Sequence, residues 1–192
     1  MVWVFLTPMA IAGSVGFYAG TFDPPTRSQI RMIRCALGDD GLHEECGELG
    51  KSISRLVVSV IEDGEKDTFA STREQMLMLK RALKKYGDRV EIVASTAERA
   101  EREKRALLDD RNVERLFQLV PGDADKGLNN FADGPDPRFV AVVFPLVEEG
   151  GFLKAGAELH RIGDPGVMEV VEKLGLYEEV GDDLAGLQRS LF

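Results

Sequence analysis

Apolar and polar positions along the chain fall into short runs of strand length alternating with stretches of helical spacing. The first run, Val15 to Ala19, leads into the turn Gly20-Thr21-Phe22-Asp23-Pro24-Pro25, and apolar residues then recur at Ile30, Ile33 and Leu37, the spacing of a helix. Gly38 to Ser54 is polar and glycine-rich and reads as loop with at most a short helical turn. Arg55 to Ile61 is a continuous β-branched run, as a strand covered on both faces would be. Past the charged loop Glu62 to Ala70, Ser71 and Glu74 form a capping box before Met76, Leu77, Leu79 and Leu83, a helix ending near Tyr86-Gly87.

Arg89 to Val93 predicts a third strand, Thr96 to Arg111 a helix, Leu116 to Val120 a fourth strand and Arg138 to Phe144 a fifth. Between the last two strands, Ala124 to Phe131 has room for one or two helical turns. Asp164-Pro165 opens a helix through about Leu174, proline being suited to a first helical turn, and a last helix is expected from about Asp183. Strands alternating with helices imply a parallel sheet with right-handed crossovers. The expected fold is therefore α/β, a Rossmann-like doubly wound parallel sheet of about five strands with helices on both faces.

Length changes the picture little: 192 residues suit one α/β domain, spanning 1–192, with an apolar extension at 1–14. That extension is interrupted by Pro8 and too short to span a bilayer; it reads as an extra edge strand, or as an overcalled start with Met9 initiating, rather than a cleaved leader. Trp3 within it reads as packing. Charge matters more. Thirty-three acidic against 24 basic residues give a net charge of -9, which argues against a broad nucleic-acid surface while leaving room for a small anionic ligand on a local basic cluster. Two histidines, His43 and His160, are too few for a histidine-rich metal site, and no metal ligands are assigned. Cys35 falls within the first helix and reads as a buried free thiol; with Cys46 eleven residues on and no C-x-x-C spacing, a reducing, cytoplasmic setting fits. On the helix from Thr96, Glu98 with Arg102 and Glu101 with Arg105 stand four apart, so the charge run reads as a solvated face.

Candidate chemistry gathers where the first strand turns into the first helix. Helix-start N–H groups carry the positive end of the helix dipole, and in a parallel sheet this junction is where a phosphate binds. Arg27, Arg31 and Arg34 share one face of that helix. This is a solvated amphipathic face or a phosphate-binding one, and Arg27 is best placed, at the helix N-terminus. Asp23 reads as a structural residue turning the loop through bonds to backbone, and Asp123 as a helix N-cap or a ligand residue.

Gly20-Thr21-Phe22-Asp23-Pro24-Pro25 resembles the start of the nucleotidyltransferase superfamily whose members carry a T/H-x-G-H signature, in particular the nicotinate-nucleotide and phosphopantetheine adenylyltransferases. At the signature itself the chain reads Thr26-Arg27-Ser28-Gln29. Lys66, Phe69 and Ser71 match the family's second-strand loop, with Gln75 at its arginine position, and Val120-Pro121-Gly122-Asp123 is similar to its Gly-x-Asp turn, so the likeness spans roughly residues 15–145. The part from 146 to 192 is divergent; Leu184 to Arg189 lies where the family's closing phosphate motif would be, without its hydroxyls.

The resemblance implies adenylyl transfer from ATP, with Mg²⁺, to a phosphate-bearing acceptor such as nicotinate mononucleotide, with pyrophosphate release, as in NAD biosynthesis. Thr26 and Gln29 would be catalytic. Gly20, Thr21, Phe22, Arg27, Ser28, Gly122, Asp123 and Arg189 would bind the nucleotide, and Lys66 the acceptor. ATP and a small phosphorylated acceptor would be the partners, with a homo-oligomer open and no nucleic acid or membrane. Such transfer needs in-line positioning and donors aimed at oxygens whose charge rises. Gln29 offers a neutral amide, roughly half as strong a donor as a charged one, and losing one good donor costs on the order of 10² to 10³ in rate. Ser28 adds a side chain where the nucleotide should approach closely. The alternative function is accordingly a pseudoenzyme that keeps the fold and nucleotide binding as a regulatory or binding subunit.

Overall fold

A computed structural model describes residues 13–39, 52–62, 68, 70–121, 136–144 and 164–176 of the protein. In chain order these form β1 (Gly13–Gly20), α1 (Arg27–Ala36), β2 (Ile53–Ile61), α2 (Thr72–Ala82), a 3₁₀ segment (Lys84–Arg89), β3 (Val90–Ser95), α3 (Ala97–Asp109), β4 (Val113–Pro121), β5 (Phe139–Phe144) and α4 (Pro165–Leu174). Residues 1–12 of the expected N-terminal extension, the turns at 124–131, the last helix and Trp3, His43 and His160 lie outside the described residues, while Gly13 and Ser14 of that extension begin β1.

All five strands pair in parallel in the order β3-β2-β1-β4-β5. The chain thus runs outward from β1 through β2 to β3, then returns to the other side of β1 for β4 and β5. That reversal is the switch point of a Rossmann-like α/β sheet, and it lies between β1 and β4. β1 is central: Phe17 pairs with Val57 of β2 and with Gln118 of β4.

Alternation along the strands divides the apolar residues between two clusters. Leu56, Val58 and Val60 of β2 are fully buried and meet Ile30 and Ile33 of α1, Met78 and Leu79 of α2 and Val167 of α4. Val57, with Val15, Phe17 and Leu116, meets Ala100 and Leu108 of α3 instead. Each fully buried side chain of this size stabilises the fold by about 1.5–3 kcal/mol. Gly16 fits its central strand because a Cβ there would come within 2.5 Å of Leu56 Cδ1. Where α4 crosses α2, a Cβ on Gly166 would lie 2.9 Å from Ala82 Cα, so glycine permits the close approach of the two helices.

Local signals set the helix ends. Ser71 Oγ accepts from Glu74 N–H at 3.4 Å and Glu74 accepts from Ser71 N–H at 2.8 Å, the expected capping box. Those bonds from Ser71 hold the Glu74 carboxyl below its usual range. Thr96 caps α3 through Arg99 N–H. Asp164 caps α4, Pro165 takes its first position, and Gly175 ends it in the left-handed region (φ 62°, ψ 32°), as glycine readily does.

Three expectations need correction. Cys35 is not a free thiol: it is disulfide-bonded, and Cys46, the other cysteine of the chain, lies outside the described residues. Its position on the buried face of α1 suits a thiol and a half-cystine equally, so burial could not separate the two. The inward face of α2 is Gln75, Met78, Leu79 and Ala82, while Leu77, taken as part of the apolar stripe, is 46% exposed. The charge run on α3 is not wholly solvated, since Lys104 is buried on the same stripe as Ala100 and Leu108. Lys104 Nζ bonds Gln118 Oε1 at 3.3 Å and Glu101 at 2.6 Å, and Glu98 pairs with Arg102 at 3.6 Å.

Candidate functional site

β1 carries its last residue, Gly20, to the switch point, and the loop 21–26 turns the chain into α1. A Cβ at Gly20 would meet only the rings of Phe22 and Tyr18, at 3.7 Å and 3.9 Å, which is ordinary contact. Among the described residues, nothing in the packing therefore demands glycine at position 20, in contrast to Gly16.

The loop is held from three sides. Gln29 Nε2 donates to the Thr21 carbonyl at 3.3 Å. Gln75 Oε1 accepts from Phe22 N–H at 3.3 Å, and Asp23 Oδ1 accepts from Ala70 N–H at 2.9 Å. Phe22 itself is fully buried, edge-on to Tyr18 with ring centroids 5.3 Å apart. Its side chain serves the core and its N–H is taken by Gln75. Asp23, the one carboxylate between Gly20 and Gln29, bonds backbone as expected, but that of Ala70, 47 residues on, where the sequence has it turning its own loop.

Thr26 and Gln29 form a second capping box. Thr26 Oγ1 accepts from Gln29 N–H at 3.2 Å, and Gln29 Oε1 accepts from Thr26 N–H at 2.9 Å. Both ends of the Gln29 amide are thus engaged, one by Thr26 and one by Thr21. Thr26 uses an acceptor lone pair in the cap and keeps a hydroxyl proton to donate. The first-turn N–H groups that this box does not use belong to Arg27 and Ser28. Arg27 is exposed and Ser28 half-buried. The first turn of α1 carries no acidic residue of its own.

The three arginines of α1 separate. Arg34 bonds Asp164 at 2.8 Å and the Ala82 carbonyl at 3.3 Å, which ties α1 to α2 and α4 and removes it from the phosphate site. Asp164 does two jobs there, one oxygen capping Gly166 N–H and the other pairing with Arg34. A cavity of ≈ 570 Å³ lies beside this clamp, lined by Arg34, Arg81, Lys84, Lys85, Asp164 and Glu169 among others. Its cations are largely spent on ion pairs: Arg81 grips Glu169 with bonds of 2.7 and 2.8 Å, and Lys85 pairs with Asp39. Asp39 is held below the usual carboxylate range by Lys85 and also accepts from Tyr86, whose hydroxyl is pushed up by burial and by Asp39.

Among the nucleotide and acceptor candidates, Gly20, Thr21, Phe22, Arg27 and Ser28 come together with Thr26 and Gln29 at the end of β1. Lys66, Gly122, Asp123 and Arg189 lie outside the described residues. Gln75 is the residue that sequence reasoning undervalued. Its signal was present: a polar side chain at the head of the stripe 75, 78, 79, 82 must be satisfied internally, and a loop backbone was the available partner. Among the described residues, no group of three or more His, Cys, Asp or Glu side chains gathers to hold a metal ion, and no helix is long and apolar enough to cross a membrane. Compared with known proteins, the chain matches no family model and no curated protein sequence.

Proposed function

We propose that this protein binds the phosphates of a nucleotide, ATP with Mg²⁺, in the crevice between the ends of β1 and β4, in the manner of a nucleotidyltransferase. The observation that carries the reading is the strand order β3-β2-β1-β4-β5, which brings the Gly20-to-Gln29 loop to the switch point with α1 starting beside it. Arg27 and Ser28 would face the phosphates, with their first-turn N–H groups supplying donors. Mg²⁺ would be carried largely by the phosphates, since it keeps several waters and needs few protein ligands. A small phosphorylated acceptor such as nicotinate mononucleotide would sit against Lys66.

The capping box favours binding without turnover. The Gln29 amide is anchored by Thr26 through Oε1 and by Thr21 through one N–H, and the second N–H, the one it could turn to a phosphate oxygen, is a neutral and therefore weak donor. The binding or regulatory protein is therefore preferred, with adenylyl transfer through Thr26 as the second reading. Thermal-shift measurements with ATP-Mg, nicotinate mononucleotide and phosphopantetheine, paired with a pyrophosphate-release assay, separate the two. Stabilisation by ATP-Mg without pyrophosphate release supports the preferred reading. Release with any acceptor replaces it with the transferase, and no shift with any nucleotide rejects both. If the site is otherwise intact, Gln29→His raises or creates pyrophosphate release.

A further inference from the structure

Gln75 is 2% exposed in the first turn of α2, and its side chain reaches groups outside that helix. Its amide is spent across two loops: Oε1 accepts from Phe22 N–H at 3.3 Å, and Nε2 donates to the Ala70 carbonyl at 2.8 Å. Ala70, itself fully buried, also gives its N–H to Asp23 Oδ1 at 2.9 Å. Both polar backbone groups of Ala70 are therefore answered by side chains that belong to, or bind, the loop after β1. An apolar residue at position 75 would strand the Phe22 N–H and the Ala70 carbonyl, two groups whose partner among the described residues is Gln75.

We propose that Gln75 is a positioning residue, which fixes the loop after β1 in its ligand-receiving shape and locks it to the foot of the loop after β2. This rests on the nucleotide-binding reading of the same site. The latch acts on segments outside regular secondary structure. Strand ladders hold Gly20 and Val60 in register; beyond them, among the described residues, the side chains of Gln75 and Asp23 bond the loop after β1 to Ala70. The Thr21 carbonyl, held by Gln29, and the Phe22 N–H, held by Gln75, are consecutive, so the two glutamines together immobilise the peptide between Thr21 and Phe22.

The test is calorimetric titration of ATP-Mg into the wild type, Gln75→Met, Gln75→Glu and Val171→Ala, with amide exchange at Phe22 read in the same proteins. Gln75→Met keeps length and loses both bonds; Gln75→Glu keeps the acceptor for Phe22 N–H and turns a carboxylate on the Ala70 carbonyl. Val171→Ala truncates the core on α4, far along the chain from either loop. The proposal expects faster Phe22 exchange and an ATP-Mg Kd raised roughly 10-fold in Gln75→Met, a smaller rise in Gln75→Glu, and an unchanged Kd in Val171→Ala despite its lower Tm. Should Gln75→Met not fold, the rise in Gln75→Glu against Val171→Ala decides. Fast Phe22 exchange with wild-type Kd in the Gln75 variants overturns the positioning role alone. A Kd raised equally in Val171→Ala overturns it too, as a general stability effect. Absence of ATP-Mg binding by the wild type overturns the nucleotide reading and this proposal together.

Discussion

Gly16 and Gly20 sit four residues apart on one strand, and the surroundings of each give opposite forecasts for the same substitution. At Gly16 an added Cβ would press on Leu56 inside the core, so Gly16→Ala is expected to destabilise by about 1–3 kcal/mol, read as a fall in Tm. At Gly20 the Cβ meets only ordinary contacts, and in a strand alanine holds an entropic advantage over glycine of up to about 1 kcal/mol. Gly20→Ala should therefore leave Tm unchanged or raised. Asp39 makes a second forecast at this scale. Its folded carboxyl, paired with Lys85, has a lowered pKa, so the stability it contributes is present above the ordinary carboxylate value near 4 and is lost as pH falls through it. The pair is partly exposed, so the contribution is below about 1 kcal/mol. Asp39→Asn should flatten the fall in Tm between about pH 5 and pH 2 by a corresponding amount.

Among the elements, α1 depends most on a few side chains at its start. Thr26→Ala removes the cap on Gln29 N–H and is expected to cost about 1 kcal/mol, measurable by urea titration as a lower midpoint with unchanged slope. Ile30, Ile33 and Leu37 were legible as the inward face of this helix because their spacing has one interpretation. The capping box at Ser71 and Glu74 was legible for the same reason. What escaped was the use made of polar residues on inward stripes. Gln75 and Lys104 interrupt apolar spacing, and a stripe with a polar member reads as an outward face until its internal partner is seen. Thr26-Arg27-Ser28-Gln29 escaped differently: as a ligand signature it resembles a damaged motif, while as a helix start it is a complete capping box. The strand-turn-helix junction that forms the candidate site was legible, because a strand, a glycine-containing turn and a helix start are contiguous in sequence. Its chemistry was not, because the groups that meet the loop come from residues about fifty positions away.

For the molecule as a whole, the parallel order β3-β2-β1-β4-β5 agrees with the expected alternation of strands and helices. Continuous apolar runs such as that in β2 mark strands that are buried, but the reversal at β1 was not legible, since right-handed crossovers do not say on which side of β1 the chain returns. The disulfide at Cys35 was not legible, since spacing alone carries no redox information. With Cys35 disulfide-bonded, iodoacetamide should leave Cys35 unmodified in the intact protein and alkylate it after reduction. Reduction should also lower Tm, by an amount corresponding to about 2–4 kcal/mol. Full labelling without reductant would exclude the bond. The claim on which the functional reading turns is that a nucleotide's phosphates approach the backbone at the end of β1. Titration calorimetry of ATP-Mg into the wild type and Gly20→Ala addresses it directly. The prediction is saturable one-site binding by the wild type and a Kd raised about tenfold or more by Gly20→Ala with Tm preserved; no binding by the wild type, or equal binding by both proteins, would contradict it.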